Sequence, residues 1–187
     1  MARRQSFHQF SFLPKIRLHH GGDIGKGKRK ITRPFDPKRA LHIVLRSSRA
    51  RGPWSFLHPR HKNRVSLLVQ ATAKRFDVTI YRYANVGNHF HFLLRAKSRR
   101  RLQAFLRTLT GRIACVVSGA KKASAMVGRF WDKLAYSRIV SWGREYEILK
   151  QYLLKNLFEA LGVDRKTAQL LVAMQRSLRD AGLAPPD

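Results

Sequence analysis

Acidic residues are scarce in this sequence: there are 10, against 39 lysines and arginines in 187 residues. Nucleases that work with two magnesium ions need clusters of carboxylates to hold them. Those within or close to the predicted core are few and scattered along the chain: Asp77, Asp132, Glu145, Glu147 and Glu159. A nuclease built from this chain would therefore need another nucleophile or another kind of metal site.

Cysteine and long apolar runs are also lacking. The single cysteine, Cys115, cannot form an internal disulfide or a cysteine-based zinc site, and its apolar surroundings predict a buried thiol. No apolar run approaches the roughly 18 to 20 residues that span a bilayer. The N-terminus lacks the apolar stretch and cleavage site of a signal peptide. We therefore expect a cytoplasmic protein with no membrane partner.

The charge of the chain is strongly one-sided. The formal net charge is +29 and the sequence pI is about 11.7. Such a chain repels itself unless a polyanion is bound. With a membrane surface disfavoured, nucleic acid is the expected partner, and the protein is expected to associate with the nucleoid.

The composition divides the chain into three parts. Residues 1–38 carry many basic residues but no sustained apolar period, and they predict a basic N-terminal arm. This arm is either a solvated tail or a clamp for phosphates. Residues 39–162 contain the predicted catalytic domain, and residues 163–187 a C-terminal helix and tail.

Hydrophobic periodicity predicts regular structure from residue 40 onward. Four strands are expected at 40–46, 78–85, 89–95 and 130–140, and helices at 62–76, 99–118, 145–161 and 166–181. The Gly87-Asn88 pair predicts a hairpin turn between the second and third strands. The order βαββαβ predicts an α+β protein with a split βαβ (ferredoxin-like) sandwich, whose antiparallel sheet is covered by two helices on one face. Its other face would be open for a site.

His89 and His91 form the sharpest pattern in the sequence. Side chains alternate along a strand, so both imidazoles project from one face while Phe90, Phe92 and Leu94 point into the core. Two neutral imidazoles on one face can share a divalent cation. The alternative is a pair of histidines that are merely hydrogen-bonded or exposed.

Tyr152 and Asn156 lie four residues apart in the third predicted helix, one turn apart on the same face. A tyrosine hydroxyl can displace an alcohol from a phosphodiester and keep the bond energy in a phosphotyrosine link. An amide within an apolar helix needs a partner, and a metal ion would provide one for Asn156. The alternative for Tyr152 is a packed aromatic ring with its hydroxyl at the surface.

Basic residues near these motifs are candidates for binding phosphates. Four arginines fall in or at the ends of predicted strands, where they could line the open face or be ordinary surface charge. Two lysines share the helix of Tyr152 and are either solvated or in contact with phosphate. These nucleic-acid-binding candidates are Arg46, Arg82, Arg95, Arg138, Lys150 and Lys155.

Two segments together resemble a known family. GNHFHFLLRA is similar to the metal-binding strand of the HUH single-strand transposases, and EILKQYLLKN to their Tyr-x-x-x-Gln/Asn helix. A basic helix and a tryptophan-bearing strand lie between the two motifs, in matching order. Within that class, residues 38–162 most resemble the REP-associated tyrosine transposases of the IS200-like family. The chain departs from that pattern because Leu157 replaces a proline and Leu161-Gly162 replaces Gly-Leu.

The resemblance implies a mechanism. His89, His91 and Asn156 would hold Mg²⁺ or Mn²⁺, and Tyr152 would attack single-stranded, hairpin-forming DNA to give a 5′-phosphotyrosine and a free 3′-hydroxyl. The enzyme would act as a monomer or a homodimer. The alternative is a noncatalytic, domesticated protein that binds DNA hairpins or RNA, although the Gly-Phe strand motif of RNA-recognition domains is absent from residues 78–95.

Overall fold

The computed structural model describes residues 18–25, 32–120 and 127–181. The described residues form one five-stranded sheet whose strands all pair antiparallel. The strands are β1 (His19–His20), β2 (Ala40–Arg46), β3 (Val78–Asn85), β4 (His89–Ala96) and β5 (Tyr136–Val140). The helices are α1 (Lys62–Arg75), α2 (Arg99–Ser118), α3 (Arg144–Ala160) and α4 (Arg165–Asp180).

The strand order is β1-β5-β2-β4-β3. β4 lies between β2 and β3, the two strands that α1 connects, which is the split βαβ arrangement. The predicted α+β class and antiparallel sheet are therefore confirmed. β1 comes from the predicted arm and pairs with the outer edge of β5, placing His19 opposite Arg138. The sequence had predicted no strand there, and residues 1–17 and 26–31 of the arm lie outside the described residues.

The main core lies between the sheet and helices α1 and α2. Phe90, Phe92 and Leu94 are fully buried in it, as the alternation of β4 predicts. Phe92 meets Phe105 of α2 edge-to-face, with ring centroids 6.4 Å apart. Because these side chains fill one face of β4, the remaining side chains of that strand must occupy the other face.

α3 packs on that other face. Its buried residues Leu149 and Leu153 form a second, smaller core with Leu93 of β4, Ala40 of β2 and Val140 of β5. The face predicted to be open is therefore partly covered. This packing holds the helix that carries Tyr152 against the strand that carries the histidines.

The turn between β3 and β4 fixes where β4 begins. Gly87 adopts the left-handed conformation, with φ of 86°, which glycine reaches without strain. Its carbonyl accepts a hydrogen bond of 2.7 Å from the Phe56 amide, and the Asn88 carbonyl accepts one of 2.9 Å from Ser47. The predicted hairpin is present, and these bonds tie its turn to the segment that follows β2.

The predicted strand at 130–140 is wrong in its first half. Only Tyr136–Val140 forms a strand. The rings of Phe130 and Trp131 both lie against Phe56, with centroids 6.1 and 5.6 Å away. Consecutive residues of a strand face opposite sides, so this segment cannot be extended while both rings pack on one side chain.

Several smaller features complete the fold. Cys115 is exposed on α2, so its predicted burial is wrong. α3 ends at Ala160 with Leu161 as its C-cap, and Gly162 follows with φ of 90°. No helix in the described part of the chain has both the length and the apolarity to cross a membrane.

Candidate active site

β4 carries His89 and His91 side by side on the face of the sheet that α3 partly covers. Their ring centroids are 4.8 Å apart and the ring planes meet at 75°. The residues directly opposite His91 on the flanking strands are apolar, Val44 on β2 and Ala84 on β3. The strand pairing therefore leaves the space next to His91 without a competing polar side chain from either of those two positions.

The hydrogen bonds of the two histidines leave one nitrogen of each available. His89 Nδ1 lies 2.6 Å from the Asn88 side-chain oxygen. Because an amide oxygen only accepts, Nδ1 carries the proton and Nε2 of neutral His89 keeps a lone pair. His91 Nε2 is buried and has no hydrogen-bond partner. An orphaned buried nitrogen beside a second free imidazole nitrogen fits a metal ligand.

A third histidine joins the site, and the sequence analysis did not select it. His42 of β2 is 8% exposed, and its Nε2 lies 3.2 Å from His91 Nδ1. The two rings are nearly parallel, at 11°, with centroids 5.4 Å apart. Alternation along β2 already placed His42 on one face with Arg46. The pairing of β2 with β4, which the sequence does not reveal, brings it to His91.

The environment keeps all three imidazoles neutral at physiological pH. Burial, aided by electrostatic repulsion from His42 and His89, lowers the pKa of His91 to about 3. Burial, aided by Arg138, lowers the pKa of His42 to about 4. The pKa of His89 is also lowered, first by burial and then by Arg46. Metal binding requires the neutral form, so no proton has to be removed first.

α3 brings Tyr152 to the histidines. The Tyr152 ring meets the His91 ring edge-to-face, with centroids 5.7 Å apart and planes at 89°. Tyr152 is 44% exposed, so the ring is not packed in the interior. Asn156 lies one turn further along α3 and is buried.

The donor set available for a metal is limited. Within residues 18–25, 32–120 and 127–181, no group of three His, Cys, Asp or Glu side chains is arranged to hold a metal ion. His42 does not supply the third ligand through Nε2, because that atom faces His91. If the two histidines held a metal ion, a third protein ligand would have to come from another residue type, and the buried amide of Asn156 is of the right chemistry.

The four selected arginines share the face of the histidines. Arg46 lies directly opposite His89, Arg82 opposite Leu93, and Arg138 opposite His42. Arg95 follows on β4 at the same alternation. Arg138 is paired with Glu145 at 2.9 Å, and Arg46 is 3.8 Å from Asp132. Arg46 and Arg95 are exposed, and Arg82 and Arg138 are half-buried.

The two lysines of α3 differ from one another. Lys150 is only 8% exposed, lies 3.5 Å from Glu147 and sits over the Tyr146 ring. Lys155 is half-buried and lies 3.9 Å from Glu159. The sequence left open that both lysines are solvated. Neither is freely solvated in the structure, because each packs along α3 beside an acidic side chain.

Comparisons with known proteins were made against families, curated proteins and solved structures. A search among curated proteins gives no match. One similar structure is a REP-associated tyrosine transposase bound to a REP hairpin, at 12% identity and a TM-score of 0.48, covering 70% of this chain and 73% of that one. Another is a transposase candidate from Deinococcus radiodurans R1, at 14% identity and a TM-score of 0.42, covering 69% and 98%.

The family comparison gives the assignment. The family model described as "Transposase IS200 like" matches residues 38–156, which include strands β2 to β5, both histidines, Tyr152 and Asn156. Transposases cut and rejoin DNA, which agrees with the excess of positive charge. The match spans well over half of the chain, and the protein belongs to the IS200-like transposase family.

Proposed function

We propose that this transposase cuts and rejoins single-stranded, hairpin-forming DNA through Tyr152 and a Mg²⁺ or Mn²⁺ ion held by His89, His91 and Asn156. One observation carries the proposal: the exposed Tyr152 ring lies against His91, whose buried Nε2 has no partner. A nucleophile and a metal ligand so close together can act on the same phosphate group.

The metal has a defined task in this scheme. When bound, it would polarise the phosphate and stabilise the charge that develops on the leaving oxygen. His89 and His91 would each offer Nε2, and their lowered pKa values keep both imidazoles neutral for that purpose. The Asn88 side chain fixes the tautomer of His89 through Nδ1.

The covalent step exchanges one phosphoester for another. The Tyr152 hydroxyl oxygen forms a bond to phosphorus, and the bond from phosphorus to the 3′ oxygen of the preceding nucleotide breaks. The phenol loses its proton and the departing 3′ oxygen gains one, so the step is balanced. A 3′-hydroxyl can then attack the phosphotyrosine and reseal the strand without ATP.

The surface around the site suits a flexible nucleic-acid strand. Arg46 and Arg95 are exposed on the histidine face of the sheet, and Arg82 and Arg138 are half-buried on the same face. Backbone phosphates bind such cations without regard to sequence.

The test is covalent capture of a labelled oligonucleotide. Wild-type protein, Tyr152→Phe and Tyr146→Phe are incubated with a hairpin library labelled at the 3′ end and Mn²⁺, then denatured and separated by electrophoresis. We expect a protein-linked label with wild type and Tyr146→Phe, which removes a hydroxyl from the same helix, and none with Tyr152→Phe. An equal adduct from Tyr152→Phe refutes the nucleophile.

The same experiment separates the noncatalytic alternative. Binding of each protein to the oligonucleotides is measured by fluorescence anisotropy alongside the cleavage assay. Wild-type protein that binds tightly but forms no adduct and no cut product would be a binding protein, and the catalytic proposal would fail.

A further inference from the structure

We propose that His42 is a positioning residue that fixes the tautomer and orientation of His91, so that His91 presents Nε2 to the metal. The inference rests on the proposed function, because it assigns a role to a neighbour of a proposed metal ligand. Its basis is geometric: His42 Nε2 and His91 Nδ1 are 3.2 Å apart, and both side chains are buried.

Only one proton can lie between these two nitrogens. If His42 donates, neutral His91 must carry its own proton on Nε2, which would be a buried donor without an acceptor. If His91 donates from Nδ1, its Nε2 keeps a lone pair facing the site. The second arrangement is the one that avoids an orphaned buried donor, and it is also the one that can bind a metal.

Histidines that bind metals nearly always donate their other ring N–H to an acceptor, usually a carboxylate or a carbonyl. This chain is poor in carboxylates, and the residues across from His91 on both flanking strands are Val44 and Ala84. In the pairing of β2 with β4, Val44 lies opposite His91, and His42 lies two residues along β2 from Val44 on the same face. An imidazole nitrogen therefore takes the place that an acidic side chain holds elsewhere.

His42 is itself held in place. It lies opposite Leu93 on β4 and opposite Arg138 on β5, in the middle of the sheet. The Tyr136 ring meets it edge-to-face, with centroids 6.2 Å apart, and the Tyr136 hydroxyl bonds His19 Nδ1 at 2.7 Å. A rigid strand and a ring contact restrict the rotation of His42, so its nitrogen can orient the ring of His91.

Two variants separate positioning from packing. His42→Leu removes the acceptor and puts an apolar side chain of similar bulk in its place. His42→Gln supplies an amide oxygen acceptor at a similar distance from the backbone. Mn²⁺ affinity is measured by calorimetry on the full chain, with thermal unfolding of each variant as the folding control. We expect the affinity of His42→Leu to fall about ten- to a hundredfold, and that of His42→Gln to stay within a few-fold of wild type.

A second measurement needs neither metal nor DNA. Long-range ¹H–¹⁵N spectra of the metal-free wild type report which ring nitrogen of His91 is protonated. We expect the proton on Nδ1, and a proton on Nε2 would overturn the inference. Equal Mn²⁺ affinity for wild type and His42→Leu would overturn it as well.

The two proposals fail in different ways. If wild type binds no Mn²⁺, the metal site of the proposed function fails and the role of His42 fails with it. If wild type binds Mn²⁺ and forms the Tyr152 adduct but His42→Leu binds equally well, only the role of His42 is lost.

Discussion

Acidification should destabilise this fold through its buried histidine pair. His42 and His91 are 8% and 6% exposed, and burial lowers their pKa values to about 4 and about 3. In the unfolded chain both return to about 6.5. The unfolded state therefore binds more protons, so stability is retained above about pH 6.5 and lost as the pH falls towards the folded pKa values.

The magnitude follows from the size of the two shifts. Between about pH 7 and about pH 5, protonation of the unfolded chain costs the folded state about 2 kcal/mol for each histidine, because neither is substantially protonated when folded. The two side chains share a hydrogen bond, so about 4 kcal/mol is an upper bound for the pair. A loss of that size is a large part of the stability of an ordinary domain.

Urea unfolding in EDTA at the two pH values measures this directly. Wild type should lose about 2 to 4 kcal/mol on acidification. A double variant, His42→Leu with His91→Leu, should lose much less, since leucine does not titrate. If the double variant shows the same loss as wild type, the pair is not the source and the reasoning is refuted.

Three further predictions concern the core, the metal and the DNA. Phe92→Ala removes a fully buried ring and should lower the free energy of unfolding by about 3 to 5 kcal/mol, measured by urea titration; a change below about 1 kcal/mol would contradict the core assignment. His89→Ala, like EDTA with wild type, should abolish cleavage while anisotropy shows DNA binding retained; full activity in EDTA would remove the metal from the mechanism. Arg95→Gln should weaken single-strand binding and reduce the slope of log affinity against log salt by about 0.7. The control Arg112→Gln, on the opposite side of the sheet, should change neither quantity. Equal effects of the two substitutions would mean that the histidine face is not the DNA surface.

Much of this site follows from local periodicity. A period of two puts His89 and His91 on one face of any strand, and burial of Phe90 and Phe92 decides which face. A period of 3.6 likewise puts Tyr152 and Asn156 on one side of any helix. These relations hold between near neighbours in the chain, so the sequence determined them without knowledge of the fold, and together they were enough to indicate the family.

Contacts between distant segments were decided only by the tertiary structure. His42 is 49 residues from His91, and their hydrogen bond exists because β2 and β4 pair in one particular register. Shifting that register by one residue would turn His42 to the other face. The contact between Tyr152 and His91 depends in the same way on Leu149 and Leu153 packing over Leu93. Phe130 and Trp131 lie outside β5 because both rings pack on Phe56, a contact that no local sequence pattern reveals. Local spacing fixes which side chains point together, whereas strand register and helix packing fix what they meet.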